Sequence, residues 1–89
     1  MITVKRFSAS WCQPCKVLAP EFKKFEEEYT DIKFVTVDVE TDSTTAELYN
    51  IRSVPTVIIE KNGDIVERLV GLNSKKQYIE AFNRAREIT

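Results

Sequence analysis

Two cysteines three positions apart, Cys12 and Cys15 in the stretch Ser10-Trp11-Cys12-Gln13-Pro14-Cys15-Lys16, are the residues of this chain best suited to do chemistry. The chain has no other cysteine, and its single tryptophan adjoins the pair. Such thiols can close into a disulfide and reopen without moving the rest of a fold. Three uses compete. A structural staple would close a very short loop, which chain entropy rewards with roughly 2 kcal/mol, against roughly 3 for a loop of about 15 residues. A zinc or iron–sulfur centre wants four ligands, and the chain has no histidine and no third cysteine. A metal site would need two chains bridging a cluster, or outside ligands such as glutathione. Thiol–disulfide exchange needs nothing further. Helical periodicity begins directly after Cys12, which sets its sulfur at a helix N-terminus, where unpaired amides and the helix dipole favour the attacking thiolate. Pro14 suits the first turn, where its missing N–H costs nothing. Cys15 falls one turn inside, so the outer sulfur attacks and the inner one resolves. Lys16 adds a little positive potential or is simply solvated.

The elements that must hold this stretch can be read around it. Residues 2–7 alternate as a strand with Ile2 and Val4 on one face. A helix over about 13–29 carries the apolar stripe Leu18, Phe22, Phe25 and Tyr29, with Pro20 removing one backbone bond and bending it. Residues 33–39 form a second strand with Val35, Val37 and Val39 facing one way. Asp42 or Ser43 caps a short helix to about Asn50, bearing Ala46, Leu48 and Tyr49. Val54-Pro55 leads into a third strand, 56–60. Asn62-Gly63 is a strong hairpin signal before a fourth strand, 65–70, which Gly71 ends. Ser74 with Gln77 makes a capping box for a last helix over 75–87 that buries Tyr78, Ile79, Phe82, Ala85 and Ile88. The order βαβαββα predicts an α/β fold: a four-stranded mixed sheet, ordered 2-1-3-4, flanked by three helices in a single domain over residues 1–89, with a right-handed parallel crossover.

Composition bounds the function. The 89 residues suffice for one small domain. The apolar share of 43%, the charged share of 30% and the net charge of −1 are ordinary for a globular protein. No basic stripe invites nucleic acid. The longest aliphatic run, Val57-Ile58-Ile59, is too short for a bilayer. The opening residues lack the apolar core of a signal peptide, so the expected compartment is the cytoplasm, where a Cys-x-x-Cys is more often redox or metal chemistry than a staple.

Taken together, Trp11-Cys12-Gln13-Pro14-Cys15-Lys16, Ile51-Arg52-Ser53-Val54-Pro55-Thr56, Lys61-Asn62-Gly63 and Val70-Gly71 resemble the thioredoxin family in order and spacing, and Pro20 matches the kink-forming proline of its active-site helix. The likeness covers nearly the whole chain. It implies the thioredoxin fold and reduction of protein disulfides, with Cys12 as nucleophile and Cys15 as resolving thiol. It implies a cis Pro55 lying against the disulfide and a Val54 backbone that pairs with an extended substrate segment. Trp11, Gln13, Pro14, Gly71 and Leu72 would complete the docking surface; alternatively Trp11 covers the core edge. No bound cofactor or metal is implied, and no nucleotide-binding glycine fingerprint is present. Electrons would come from NADPH through a separate thioredoxin-reductase-like flavoenzyme, and the protein would act as a monomer on protein disulfides, away from nucleic acid and membrane.

Three departures from the family stand out. The strand leading to the cysteines starts at Ile2, whereas thioredoxins usually carry an extra strand and helix before it, so the architecture approaches a short, N-terminally truncated, glutaredoxin-like form. Gln13 replaces the usual glycine at a position that tunes redox poise in the family. Arg6 stands where thioredoxins usually bury an aspartate, a proposed proton acceptor for the resolving thiol; arginine cannot act as a base. Either Arg6 points inward and favours thiolate on Cys15, or its stem snorkels to solvent, the second being preferred because an unpaired buried charge is costly. Two alternatives remain beside the reductase. One is a glutaredoxin-like, glutathione-coupled enzyme, with Lys16 or Arg52 helping to hold glutathione. The other is a non-catalytic binding module.

Overall fold

The strand that carries the site, β1 (Ile2–Ser8), lies inside the sheet: it runs parallel to β2 (Ile32–Asp38) and antiparallel to β3 (Thr56–Lys61), which pairs antiparallel with β4 (Asp64–Val70). The order is β2-β1-β3-β4, as the sequence predicts. Three helices complete the chain: α1 (Gln13–Glu28), α2 (Ser43–Leu48) and α3 (Lys75–Glu87). The computed structural model describes residues 1–88. Among the described residues, no helix is long and apolar enough to cross a membrane.

Alternation along β1 divides the core between the two faces of the sheet. Ile2 and Val4 join Leu18, Phe22 and Phe25 of α1 and Tyr78, Ala81, Phe82 and Ala85 of α3. Phe22 packs edge-on against Tyr78 at 5.1 Å and Phe25 against Phe82 at 5.1 Å. Such pairs add about 0.5–1.5 kcal/mol each beyond their burial. Phe7, Val37 and Ile58 form a smaller cluster on the other face, with Val35, Val39, Tyr49 and Ile51 against it. β3 is buried on both faces, which is why it reads as a continuous apolar run.

Local punctuation places the elements. Asp42 accepts the Thr45 amide and caps α2. Ser74 and Gln77 make the reciprocal capping box of α3. Asn62 and Gly63, at φ +54° and +89°, turn the β3–β4 hairpin in the left-handed conformation such loops need. α1 continues through Pro20.

Some facings differ from the sequence reading. α2 ends at Leu48, which is 78% exposed, because Ala46 two positions earlier faces the sheet and a step of two residues points the opposite way. Ile79 is half-buried, and Ile88 is exposed because it lies beyond the last turn of α3. Ala81, which the sequence reading passed over, is fully buried. The polar cluster of Lys5, Tyr49 and Glu60 was likewise unforeseen: the Tyr49 hydroxyl donates to Glu60 at 2.5 Å, and the Lys5 ammonium meets Glu60 at 3.0 Å and Tyr49 through its hydroxyl.

Candidate active site

The chain leaves β1 at Ser8 and turns through Ala9–Trp11 into α1. The turn is held at both ends. Cys12 N–H donates to the Ala9 carbonyl at 3.2 Å, and the Ser10 amide and hydroxyl donate to the Glu40 carboxylate at 3.1 and 2.7 Å. Glu40 was not singled out from sequence; it lies 30 residues away and only the β1–β2 pairing brings it near. Cys12 is the N-cap of α1, its sulfur accepting from the Cys15 amide at 3.2 Å, with Pro14 in the first turn. This is the placement the periodicity after Cys12 predicts. An amide aimed at that sulfur at a helix N-terminus favours negative charge there. The two sulfurs are joined in a disulfide. Both residues are buried, at 3% and 2% exposure.

The second half of the predicted site arrives from the loop before β3. Val54 packs with Ala9, Cys12, Cys15 and Val39 in one small apolar cluster. The Val54–Pro55 peptide is cis, and Pro55 is buried. The Gly71 amide donates to the Pro55 carbonyl at 2.8 Å, so the end of β4 is tied to the same place. Gly71 itself has φ +78°, a conformation that favours glycine. Trp11 is 68% exposed, so it does not cover the core; with Val39, Ile51, Arg52, Ser53 and Val54 it lines a groove of about 140 Å3. Gln13, Pro14, Lys16 and Leu72 are also exposed. The wall beside the disulfide is therefore an open, mildly apolar surface.

Arg6 combines features of both expectations: its stem is covered, while its guanidinium bonds the hydroxyl of an exposed residue. It lies half-buried on the α1 face of the sheet, its guanidinium donating to the Thr36 hydroxyl at 3.2 Å and sitting 5.7 Å from the centre of the Phe22 ring. Thr36 is its neighbour across β1 and β2. Burial pushes its pKa down, and the Glu26 carboxylate opposes that shift. The cost that argued for snorkelling is thus reduced by a hydroxyl, an aromatic face and a nearby carboxylate. Arg6 lines a cavity of about 280 Å3 together with Cys15, Lys16, Thr36 and Asp38. Groups of both signs, Arg6 and Lys16 with Asp38, therefore line the space on the inner side of the disulfide. No group of three or more histidine, cysteine, aspartate or glutamate side chains is placed to hold a metal among the described residues.

A family model described as Thioredoxin matches residues 2–84. Thioredoxin of Mycoplasma genitalium is 42% identical over 77 residues, covering 86% of this chain and 76% of its own. Among solved structures, thioredoxin NaTrxh of Nicotiana alata superposes with a TM-score of 0.91 at 35% identity, over 97% of this chain and 74% of that one. A structure described as a complex of ferredoxin:thioredoxin reductase and thioredoxin f2 matches with a TM-score of 0.89 at 33% identity, over 97% of this chain and 78% of that one.

Proposed function

The chain belongs to the thioredoxin family, and from that premise we propose that it reduces protein disulfides through a Cys12-Gln13-Pro14-Cys15 dithiol–disulfide cycle. Thiol–disulfide oxidoreductase activity follows from the family and the Cys12–Cys15 pair. The particular cycle is our reading. The observation that carries it is the position of Cys12 as N-cap of α1 with the Cys15 amide aimed at its sulfur.

In the reduced protein, the Cys12 thiolate attacks one sulfur of a substrate disulfide. That disulfide breaks, its other sulfur leaves as a thiolate and takes a proton, and a Cys12–substrate mixed disulfide forms. Cys15, as a thiolate, attacks the Cys12 sulfur. The second substrate thiol is released and the Cys12–Cys15 bond forms. Two electrons have passed from protein to substrate.

Trp11, Gln13, Pro14, Val54, Pro55 and Gly71 are assigned to substrate docking, with Val54 offering its backbone to an extended segment. Arg6 and Lys16 are assigned to tuning. Regeneration needs an outside two-electron donor. We assign it to a reductase protein fed by NADPH; the matched complex of a thioredoxin with ferredoxin:thioredoxin reductase supports a separate reductase partner and does not bear on NADPH as the source. Glutathione is the competing donor. The proposed working form is a monomer in the cytoplasm, which sedimentation and cell fractionation test.

The cycle is tested with Cys12→Ser and Cys15→Ser in insulin reduction. Cys12→Ser is expected to abolish turnover, and Cys15→Ser to accumulate a covalent adduct with substrate that dithiothreitol releases. Wild-type turnover by Cys12→Ser would refute the assignment.

A further inference from the structure

The groove beside the disulfide runs on into a second cavity of about 350 Å3, lined by Asn50, Arg52, Ser53, Thr56, Arg68 and Val70. Arg52 and Ser53 line both spaces, so the two adjoin. The cavity contains two guanidinium groups and no carboxylate. Among the described residues the ion pairs are Lys5–Glu60, Arg84–Glu67 and Arg86–Asp31, so neither Arg52 nor Arg68 meets an acidic partner.

The fold holds the two cations in place. Just past α2 and its C-cap Tyr49, Asn50 has φ +55°, the Asn50 amide returning to Glu47 O at 3.0 Å and the Ile51 amide to Ala46 O at 2.9 Å. That helix ending leaves the Tyr49 carbonyl outward. Arg68, reaching across from β4, donates one Nη to that carbonyl at 2.9 Å. Arg52 is steadied by Asn50 Oδ1, 3.4 Å from its Nε. Each guanidinium retains unused N–H donors on side chains that are otherwise exposed. Two like charges at one mouth repel, and an anion between them relieves that repulsion. The planar fork of arginine suits a carboxylate.

We propose that this cavity receives the carboxylate of an acidic side chain on the protein substrate, so that disulfides flanked by Asp or Glu are reduced preferentially. This rests on the reductase reading above and names a substrate class for it. An extended segment advances about 3.3 Å per residue. A segment lying along Trp11 and Val54 therefore reaches Arg52 within about three residues of the attacked cysteine. Charge complementarity selects this occupant, since the cavity offers donors only from cations and small polar side chains.

The test is a single-turnover measurement with the full chain, reduced beforehand and mixed with peptide disulfides that differ only by Glu or Gln close to the cysteine. The Glu peptide should react about fivefold faster at low ionic strength, the size of a partly screened charge pair. The ratio should shrink in concentrated salt. Arg52→Gln combined with Arg68→Gln should bring it close to one. Because Arg68 also supports the end of α2, Arg52→Glu alone serves as a second variant and should reverse the preference. Equal rates for both peptides with wild-type protein, or a preference that survives in the variants, would overturn the acidic-substrate proposal while leaving the reductase reading intact. Failure to reduce either peptide would overturn the reductase reading and the proposal with it. If oxidised glutathione, rather than the Glu peptide, loses its rate advantage in the variants, the cavity serves glutathione and the proposal is wrong.

Discussion

Tyr78 connects the aromatic core to the loop that borders the disulfide, and Tyr78→Phe should show how firmly. The residue is fully buried on α3. Its ring packs on Phe22 at 5.1 Å, a contact phenylalanine keeps. Its hydroxyl accepts the Asn73 amide at 3.2 Å and stands 3.5 Å from the Gly71 carbonyl. Gly71 O retains Asn73 Nδ2 at 3.2 Å, so the Asn73 N–H is the group that loses its partner. A lost hydrogen bond costs about 0.5–1.5 kcal/mol, and a donor stranded from water about 1–3. Asn73 is half-buried, which points to about 1–1.5 kcal/mol. For a chain of this size that lowers Tm by about 5–10 °C. Urea denaturation of the oxidised protein, with unchanged m, reads it directly. Burial raises the Tyr78 hydroxyl above its ordinary 10.0, against the opposing hydrogen bonds from Asn73. Above that pH the unfolded chain ionises first, so wild-type stability falls as pH rises through the raised value. The variant lacks this loss, and its deficit should narrow in alkali. Substrate KM should rise with kcat held, because Gly71 is the loop's tie to Pro55. A stability change below about 0.3 kcal/mol would refute the claim that the hydroxyl anchors the loop.

Three further perturbations probe other parts of the structure. Lys5→Met removes the cation beside the nearly buried Glu60 carboxylate, leaving it the Tyr49 hydroxyl, and should cost about 1–3 kcal/mol at neutral pH by denaturant midpoint. The Tyr49 hydrogen bond chiefly, with Glu60, raises the Lys5 pKa above 10.5, so its stabilisation is complete below that pH and is lost as pH rises through the folded value; the variant's deficit should close there. Ser74→Ala removes half of the capping box and should cost about 1 kcal/mol in the same assay. Arg6→Leu removes positive charge from the cavity behind Cys15, which disfavours the reduced thiolate form. The Cys12–Cys15 potential, measured against glutathione, should fall by about 10–30 mV, and a rise would contradict the assigned role.

What could be read from the chain was what neighbours along it decide. The N-cap position of Cys12, the Asn62-Gly63 turn, the Ser74–Gln77 box and the Asp42 cap are each set within about four residues by backbone donors needing acceptors. The sheet order followed from connection rules and element sequence. Features set by pairing across the sheet were not legible. Lys5 and Tyr49 stand 44 residues apart, and nothing local says they meet. The Thr36 partner of Arg6 appears only once β1 and β2 are in register. Arg68 lies in a plain strand sequence and gains meaning only beside the end of α2. Leu48 and Ile88 were misplaced because a six-residue helix and a helix's last residue give periodicity too little length to fix a face.

Among the described residues, β2 and β4 are the outer strands of the sheet, each paired on one side. Free backbone groups along such rims invite another chain to add a strand. Here the rims are guarded. Lys33 and Thr36 stand exposed on β2, and Asp64 and Arg68 on β4. A register shift at Ile59/Glu60 interrupts the regular ladder behind β4, a device that increases local twist and spoils stacking. Charged side chains far from the cysteines therefore stand against strand addition at both rims. Replacing Lys33, Asp64 and Arg68 with valine would leave the thiol chemistry's own groups in place and turn both rims into templates for fibrous association.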